Sequence, residues 1–272
     1  MGVKQKQIIE YYKKFLRLQK VITVIKGPMY SLTTPFLEID ITYACNLRCL
    51  NCNRSCRQAP TNDSMTAEQI RKFISESVRH SVKWERIRVL GGEPTLHPDI
   101  SEILRLLFEY KQGYSPAMRL QLVTNGFGDR VREVLSKVPE DIEIENTKKT
   151  SPRNDFRPFN KAPRDSLLYL FADYTNGCWI PPRCGIGLTP YGYYTCAVAG
   201  AIDRILGYDL GVKEYSSFEK TFVEQRNKFC GYCGIFRDYL EGVNETRDEK
   251  ISRSWQQVYR CFRTTPPKLT QY

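Results

Sequence analysis

From Phe36 to about residue 146, strand-like runs alternate with helix-like ones, and no other feature of the chain restricts its fold as much. Residues 36–42, Phe-Leu-Glu-Ile-Asp-Ile-Thr, alternate apolar and polar side chains with the period of a strand and lead straight to Cys45. Thr66 and Gln69 form a capping-box pattern ahead of Ile70, Phe73, Ile74 and Val78, which recur at helical spacing. Ile87, Val89 and Leu90 make a short strand ending at Gly91-Gly92, and Ile100, Ile103, Leu104 and Leu107 mark a second helix. Leu120, Leu122 and Val123 form a strand ending at Thr124-Asn125-Gly126; Val131, Val134 and Leu135 a third helix; Ile142 and Ile144 begin the next strand. Strands separated by helices of this length pair in parallel through right-handed crossovers. The expected fold class is therefore α/β, a sheet or partial barrel with its functional groups at the C-terminal ends of the strands.

Beyond about residue 150 the alternation stops and Pro, Asn and Arg become frequent, so residues 166–272 are expected to be an appended module on an α/β core of residues 36–165. Residues 1–35 form an N-terminal extension. Within it Ile8, Ile9, Tyr12, Phe15 and Leu16 predict an amphipathic helix over 5–20, packed across a sheet edge. A chain of 272 residues, 41% hydrophobic, buries one substantial core. There is no apolar run of about 18 residues and no apolar secretion segment, so a cytoplasmic protein without a membrane partner is expected. In that reducing compartment the ten cysteines point to metal or cluster ligation rather than disulfides. The net charge of +11, dense in the first 30 residues and around 148–164, fits a nucleic-acid partner or a solvated basic surface. No nucleic-acid motif accompanies it, which favours the solvated surface.

Cys45, Cys49 and Cys52 stand in a C-x3-C-x2-C run directly after the first strand. Three thiolates on one loop leave a coordination position open, whereas a structural zinc site usually pairs two C-x2-C knuckles and closes its shell. With Gly91-Gly92-Glu93-Pro94 ending the next strand, the pattern resembles the radical S-adenosylmethionine superfamily. The resemblance implies a partial (β/α)6-type barrel and a [4Fe-4S] cluster held by Cys45, Cys49 and Cys52. It implies S-adenosylmethionine on the fourth iron, cleaved reductively to a 5′-deoxyadenosyl radical. Glu93 and the backbone of Gly91 and Gly92 would hold the methionyl ammonium, Pro94 would shape the turn, and Thr124 and Asn125 would line the cofactor cleft. Asn51 departs from the family, in which an aromatic residue or His commonly precedes the last cysteine and contacts adenine. Cys56 reads as a buried structural thiol, or else a hydrogen-atom donor.

A second set of cysteines follows. Residues 184–196 read as a hairpin with Pro190-Tyr191-Gly192 at its tip, which brings Cys184 and Cys196 together, and Cys230 and Cys233 add a C-x2-C knuckle. Four such thiolates suit zinc or a [4Fe-4S] cluster equally. The pattern resembles the SPASM and twitch modules of radical S-adenosylmethionine enzymes, which hold auxiliary [4Fe-4S] clusters, so two clusters are expected. Cys178 is the alternative to Cys184 as a ligand, and Cys261 is expected to be structural.

The resemblance implies an iron–sulfur oxidoreductase that abstracts hydrogen from its substrate and is supplied by an electron donor such as flavodoxin or ferredoxin. A full auxiliary cluster favours dehydrogenation, as in aminoglycoside dehydrogenases with a twitch module; epimerisation or bond formation is the alternative. Peptide-modifying members often carry an N-terminal leader-binding domain, for which 35 residues are too few, so a small polar metabolite is expected over a peptide or RNA. Tyr43, His97 and Arg164 are candidate substrate-side residues. The rival from another class is a zinc-stabilised nucleic-acid-binding protein, which explains the charge but not Gly91-Gly92-Glu93-Pro94 behind a three-cysteine loop.

Overall fold

The structure is a computed structural model that describes residues 3–31, 35–154, 156–215, 218–237, 249 and 251–272. Helices α1 (Val3–Arg17) and α2 (Lys20–Lys26) precede β1 (Phe36–Thr42), α3 (Ala67–Arg79), β2 (Arg86–Gly91), α4 (Ile100–Tyr114), β3 (Arg119–Thr124), α5 (Asp129–Leu135) and β4 (Glu143–Asn146). There follow α6 (Ile180–Cys184), β5 (Ile186–Thr189), β6 (Gly192–Tyr194), α7 (Ala197–Leu206), α8 (Glu219–Phe229) and α9 (Arg253–Thr264).

The six strands form one sheet in the order β4-β3-β2-β1-β5-β6. β1 to β4 are parallel neighbours, β5 runs parallel to β1, and β6 returns antiparallel to β5. The fold is thus α/β with a mostly parallel sheet. Two expectations change. Among the described residues the sheet has five parallel strands and an antiparallel sixth rather than six β/α units, because the β4–β5 connection is built of one-turn 3-10 helices and the five-residue α6. The hairpin does not stand apart from the first half either: Leu37, Glu38 and Ile39 of β1 pair with Ile186, Gly187 and Leu188 of β5.

Strand alternation gives the sheet two unlike faces. Leu37, Ile39 and Ile41 of β1, Ile87 and Val89 of β2, and Leu120 and Leu122 of β3 are buried in one apolar core with Ile70 and Phe73 of α3 and Ile103 and Leu107 of α4. The intervening residues, Glu38 and Asp40 on β1, Arg88 on β2 and Glu145 on β4, carry charge on the other face. The capping box of α3 forms as its sequence predicts: the Gln69 N–H donates to Thr66 Oγ1 at 3.1 Å and the Thr66 N–H to Gln69 Oε1 at 2.8 Å. α7 is buried on nearly every side, and α9 sets Trp255, Tyr259 and Phe262 into a second apolar core with Tyr43, Phe159 and Tyr194.

α1 forms where the spacing predicts it but does not cross a sheet edge. Its Phe15 and the following Leu18 pack on Tyr169 and Phe236, while Ile8, Ile9, Tyr12 and Leu16 face outward. No helix of the described residues is long and apolar enough to cross a membrane.

Candidate functional site

The loop after β1 is closed on itself before it presents its cysteines. Thr42 bridges Ser64, the Met65 N–H donates to Ile41 O at 2.8 Å and the Tyr43 N–H to Asp63 O at 3.0 Å. Further out, the Arg48 and Leu50 N–H groups donate to Pro152 O and Asn154 O at 2.7 and 2.8 Å. Glu249 accepts from the Asn51 N–H at 3.0 Å and from Asn160 Nδ2 at 2.7 Å, and Asn51 itself adopts a left-handed φ of 52°. The end of β2 then presses against this loop. The Gly92 and Glu93 N–H groups donate to Thr42 O and Ala44 O, both at 2.8 Å. A Cβ on Gly91 would lie 2.2 Å from Thr42 O and one on Gly92 2.3 Å from Ala44 O, so only glycine permits the approach.

Cys45, Cys49 and Cys52 line one cavity of about 320 Å³ together with Gly91, Gly92 and Asn125. Backbone N–H groups aim at the sulfurs: Leu47 N donates to Cys45 Sγ at 3.4 Å, and Asn154 and Arg54 supply Cys49 and Cys52. Burial pushes the Cys45 thiol up to about 12 and raises Cys49. Cys52 is lowered instead, because the Cys56 thiol hydrogen-bonds to it, and Cys56 is raised by the same contact. Cys56 therefore sits on the cavity wall beside Cys52. A metal replaces these protons, so loading such a site releases them.

Of the Gly91-Gly92-Glu93-Pro94 segment, the two glycines line the cavity and Glu93 and Pro94 do not. Glu93 is fully buried and both carboxylate oxygens accept protein donors: Thr95 Oγ1 at 2.7 Å, Thr124 Oγ1 at 2.8 Å and the Asn125 N–H at 2.8 Å. Its carboxylate thereby ties the end of β2 to the end of β3. Thr124 and Asn125 do line the cavity, and Asn125 Nδ2 donates to Asn46 Oδ1 at 2.8 Å, tying the end of β3 to the cysteine loop.

The floor of the cavity is a charge network that the sequence pattern did not reveal. Arg54 donates to both oxygens of Asp40 at 3.1 Å and to Glu38 at 3.2 Å; Arg88 reaches Glu38 at 2.6 Å and grips Glu145 through two bonds of 2.8 Å. Burial pushes Asp40 up to about 6 despite Arg54. The available signal was the placement of Glu38, Asp40 and Arg88 in strands that both precede cofactor-type loops.

The second set of cysteines divides. Cys178, Cys196, Cys230 and Cys233 line a small apolar cavity with Ile180, Val198 and Phe229, and Cys184 is not among them. Gly185, at φ +85° and with its Cα side facing Phe36 O, turns the chain between Cys184 and β5. Cys184 consequently faces the first cavity, where Arg88 Nη1 lies 3.9 Å from its Sγ. The preferred ligand of the sequence reading thus stands apart, and the alternative, Cys178, joins the other three.

Here too backbone N–H groups point at sulfur: Ile180 N lies 3.5 Å from Cys178 Sγ, the first turn of α7 serves Cys196, and Ile235 and Phe236 serve Cys233. Burial pushes Cys196 up to about 11 and Cys233 to about 12. Thr195 Oγ1 and Arg226 Nε, both on residues of the cavity wall, are buried without a hydrogen-bond partner among the described residues. Four thiols, three of them served by N–H donors, with further donors to spare, are a donor set that fits an anionic iron–sulfur cluster. No three described His, Cys, Asp or Glu side chains converge closely enough to share a single ion, so each thiol set is spread around its cavity.

A larger outer cavity of about 630 Å³ shares Asn53, Phe156, Trp179 and Ile180 with the first, and adds Lys14, Arg157 and Arg183. Ile180 also lines the second cysteine cavity. The three candidate substrate-side residues are elsewhere. Tyr43 is buried, stacked on Tyr191 at 6.3 Å with Arg204 over its ring at 4.5 Å; His97 Nε2 donates to Met65 O at 2.7 Å and its Nδ1 accepts from the Asp99 N–H; Arg164 lies over Tyr232. Cys261 is exposed on α9.

The Radical SAM superfamily model matches residues 39–143, which run from within β1 to the first residue of β4. These residues form a radical SAM domain. Similar proteins include the GTP 3′,8-cyclase of Aliarcobacter butzleri (strain RM4018), 31% identical over 94 residues, which are 34% of this chain and 27% of that protein. The probable GTP 3′,8-cyclase of Pyrococcus horikoshii (strain ATCC 700860 / DSM 12428 / JCM 9974 / NBRC 100139 / OT-3) is 37% identical over 90 residues, 33% of this chain and 26% of that protein. The chain thus covers about a quarter of the length of these relatives. Among solved structures, BtrN in complex with AdoMet and 2-DOIA aligns with a TM-score of 0.45 and 13% identity over 81% of this chain and 98% of that one. The radical SAM domain therefore holds the three-cysteine loop, both glycines, Thr124 and Asn125, while the second set of cysteines lies beyond it.

Proposed function

We propose that the protein is a radical SAM enzyme with two [4Fe-4S] clusters that removes hydrogen from a small, anionic, polar metabolite. The observation that carries this reading is the sharing of walls: the cavity of Cys45, Cys49 and Cys52 and the outer cavity have Asn53, Phe156 and Trp179 in common, and Ile180 borders both and the second thiol set. A substrate in the outer cavity would lie between the two sets.

Cys45, Cys49 and Cys52 would hold the first cluster, and Cys178, Cys196, Cys230 and Cys233 the second. When bound, the first cluster and S-adenosylmethionine supply a 5′-deoxyadenosyl radical that abstracts a substrate hydrogen atom. The backbone at Gly91 and Gly92, with Thr124 and Asn125, would receive the methionyl part of S-adenosylmethionine. Glu93 acts through them as a positioning residue, fixing the ends of β2 and β3 to one another. Lys14, Arg157 and Arg183 would orient an anionic group of the substrate, and Trp179 would cover an apolar or planar part of it. The size of the outer cavity suits a small molecule. A second set of four thiols, with its N–H and side-chain donors, supports an electron-accepting role and hence dehydrogenation. The cations also suit a nucleotide, the substrate class named in the GTP 3′,8-cyclases.

The test is the iron and sulfide content of anaerobically reconstituted protein beside a Cys45→Ala/Cys49→Ala/Cys52→Ala variant, with an assay for 5′-deoxyadenosine after adding S-adenosylmethionine and dithionite. About eight irons in the parent and about four in the variant are expected, with 5′-deoxyadenosine from the parent alone. Zinc in place of iron, with no cleavage, would overturn the reading.

A further inference from the structure

Away from both thiol sets, the N-terminal helices present an apolar surface that nothing in the described chain covers. On α1 the flank bearing Phe15 packs inward, and the stripe Ile8, Ile9, Tyr12 and Leu16 is left exposed. α2 exposes Val21, Val24 and Ile25, spaced along one face. The segment 167–171 turns Tyr169 into the protein and leaves Leu167, Leu168, Leu170 and Phe171 outside.

Backbone contacts gather these elements. The Lys20 N–H donates to Phe171 O at 2.9 Å, the Asp173 N–H to Leu18 O at 2.8 Å, and Gln19 bridges Ala172, so the segment lies against the junction of α1 and α2. The junction is anchored beneath. Asn176 accepts from the Met29 N–H at 2.8 Å and donates to Thr23 Oγ1 at 2.6 Å, while Arg17 donates to Gly27 O at 2.9 Å at the end of α2. Eleven large apolar side chains are thus exposed on a fixed platform, more than scattered surface residues would account for.

Charge selects the occupant. Between residues 3 and 26 the chain has seven Lys or Arg and a single acid, Glu10, and Lys6, Lys13, Lys20 and Lys26 are all exposed. A second copy of the chain would set this excess against itself. Leu167, Val24 and Ile25, 89%, 79% and 74% exposed, project from the surface rather than line a groove, which suits insertion into a fluid interface better than a rigid protein partner. A basic amphipathic helix beside projecting aliphatic side chains is the make-up of a segment that lies in a lipid headgroup layer.

We propose that this face docks on an anionic phospholipid bilayer, with the apolar side chains at the headgroup–acyl boundary and the lysines over the phosphates. This differs from the expectation of no membrane partner, which rested on the lack of a spanning or secretion segment; docking needs neither. Lys14, on another side of α1 from this stripe, lines the outer cavity, so the docking helix also contributes to that cavity's wall.

The test is co-sedimentation of the full-length reconstituted protein with vesicles of phosphatidylglycerol and phosphatidylcholine, and with vesicles of phosphatidylcholine alone. Binding to the mixed vesicles, weakened by salt and absent from the neutral ones, is expected. Leu168→Ser/Phe171→Ser should lower the partition coefficient more than tenfold, and Lys20→Gln/Lys26→Gln roughly twenty-five-fold, since each cation near the surface contributes about fivefold. All four residues are exposed, and circular dichroism checks that the variants fold. Failure to bind the mixed vesicles, equal binding to neutral ones, or variants that bind like the parent would overturn the proposal. So would a dimer of the parent that the Leu168/Phe171 variant dissolves, since a second copy would then occupy the face.

Discussion

Both carboxylate oxygens of Glu93 are taken by Thr95, Thr124 and the Asn125 N–H, so this side chain sets the distance between the glycine turn and the end of β3. Glu93→Gln puts an amide nitrogen where a donor now points. The buried mismatch should cost about 1–3 kcal/mol, read as a lower urea midpoint at unchanged m-value. Asp40 gives a pH signature. Its folded value of about 6 lies above the ordinary 3.8, because burial outweighs Arg54. Between those values the folded chain keeps a proton that the unfolded chain has lost, so the contribution of Asp40 falls as pH rises from about 4 to 6. Asp40→Asn should remove that slope from unfolding free energies measured across the window, whatever the intercept does once Arg54 has lost a partner. A difference that is flat between parent and variant would show that Asp40 titrates normally. At this scale the sequence told part of the story. Cys45, Cys49, Cys52, Gly91 and Gly92 were legible because their spacing reflects one loop meeting one strand end. Glu38, Asp40, Arg54 and Arg88 were not, because sheet register brings Arg88 to Glu38 across 50 residues and the fold of the cysteine loop returns Arg54 to β1.

The hairpin β5–β6 shows what element-level reading can and cannot supply. Its two strands and tight turn follow from alternation around Pro190-Tyr191-Gly192, and the pairing of Leu188 with Tyr193 bears that out. The position of Cys184 does not follow, because it depends on one backbone turn. At Gly185 a Cβ would fall within 1.8 Å of Phe36 O, so the chain changes direction there and Cys184 ends α6 instead of extending β5. Cys178 reaches the other three thiols from the far side of the same short helix. If the second thiol set holds a cluster, Cys178→Ala should lower iron from about eight to about four per chain, while Cys184→Ala keeps about eight. The opposite pattern would restore the pairing of Cys184 with Cys196. α1 makes the converse point: periodicity located the helix, but its orientation was set by Tyr169 and Phe236, distant in sequence, and its apolar stripe was left outside.

At the scale of the whole molecule, the composition change near residue 150 does not coincide with a break in the core. One apolar cluster joins Leu37, Ile39 and Phe73 from the first half to Ile186, Tyr193, Phe222 and Tyr272 from the second. The Tyr272 hydroxyl donates to Glu76 on α3 at 2.7 Å, and its N–H donates to Pro190 O at 2.9 Å, so the tail clamps the hairpin onto the first half. Composition reports where strand–helix alternation ends, whereas cooperativity follows contacts, and these cross residue 165 where Ile186, Gly187 and Leu188 of β5 pair with β1. The expected outcome is a single cooperative denaturant transition, coincident by tryptophan fluorescence and far-ultraviolet circular dichroism. A fragment ending at residue 165 should fail to fold stably, because it would expose the β1 edge at Leu37–Ile39 and the apolar faces that β5 and Tyr272 cover. Tyr272→Ala removes a large buried aromatic and should cost about 3–5 kcal/mol by chemical denaturation, still in one transition. Two resolved transitions, with Tyr272→Ala lowering only the first, would mean that the second half folds on its own and that the sheet is a docked seam between two units.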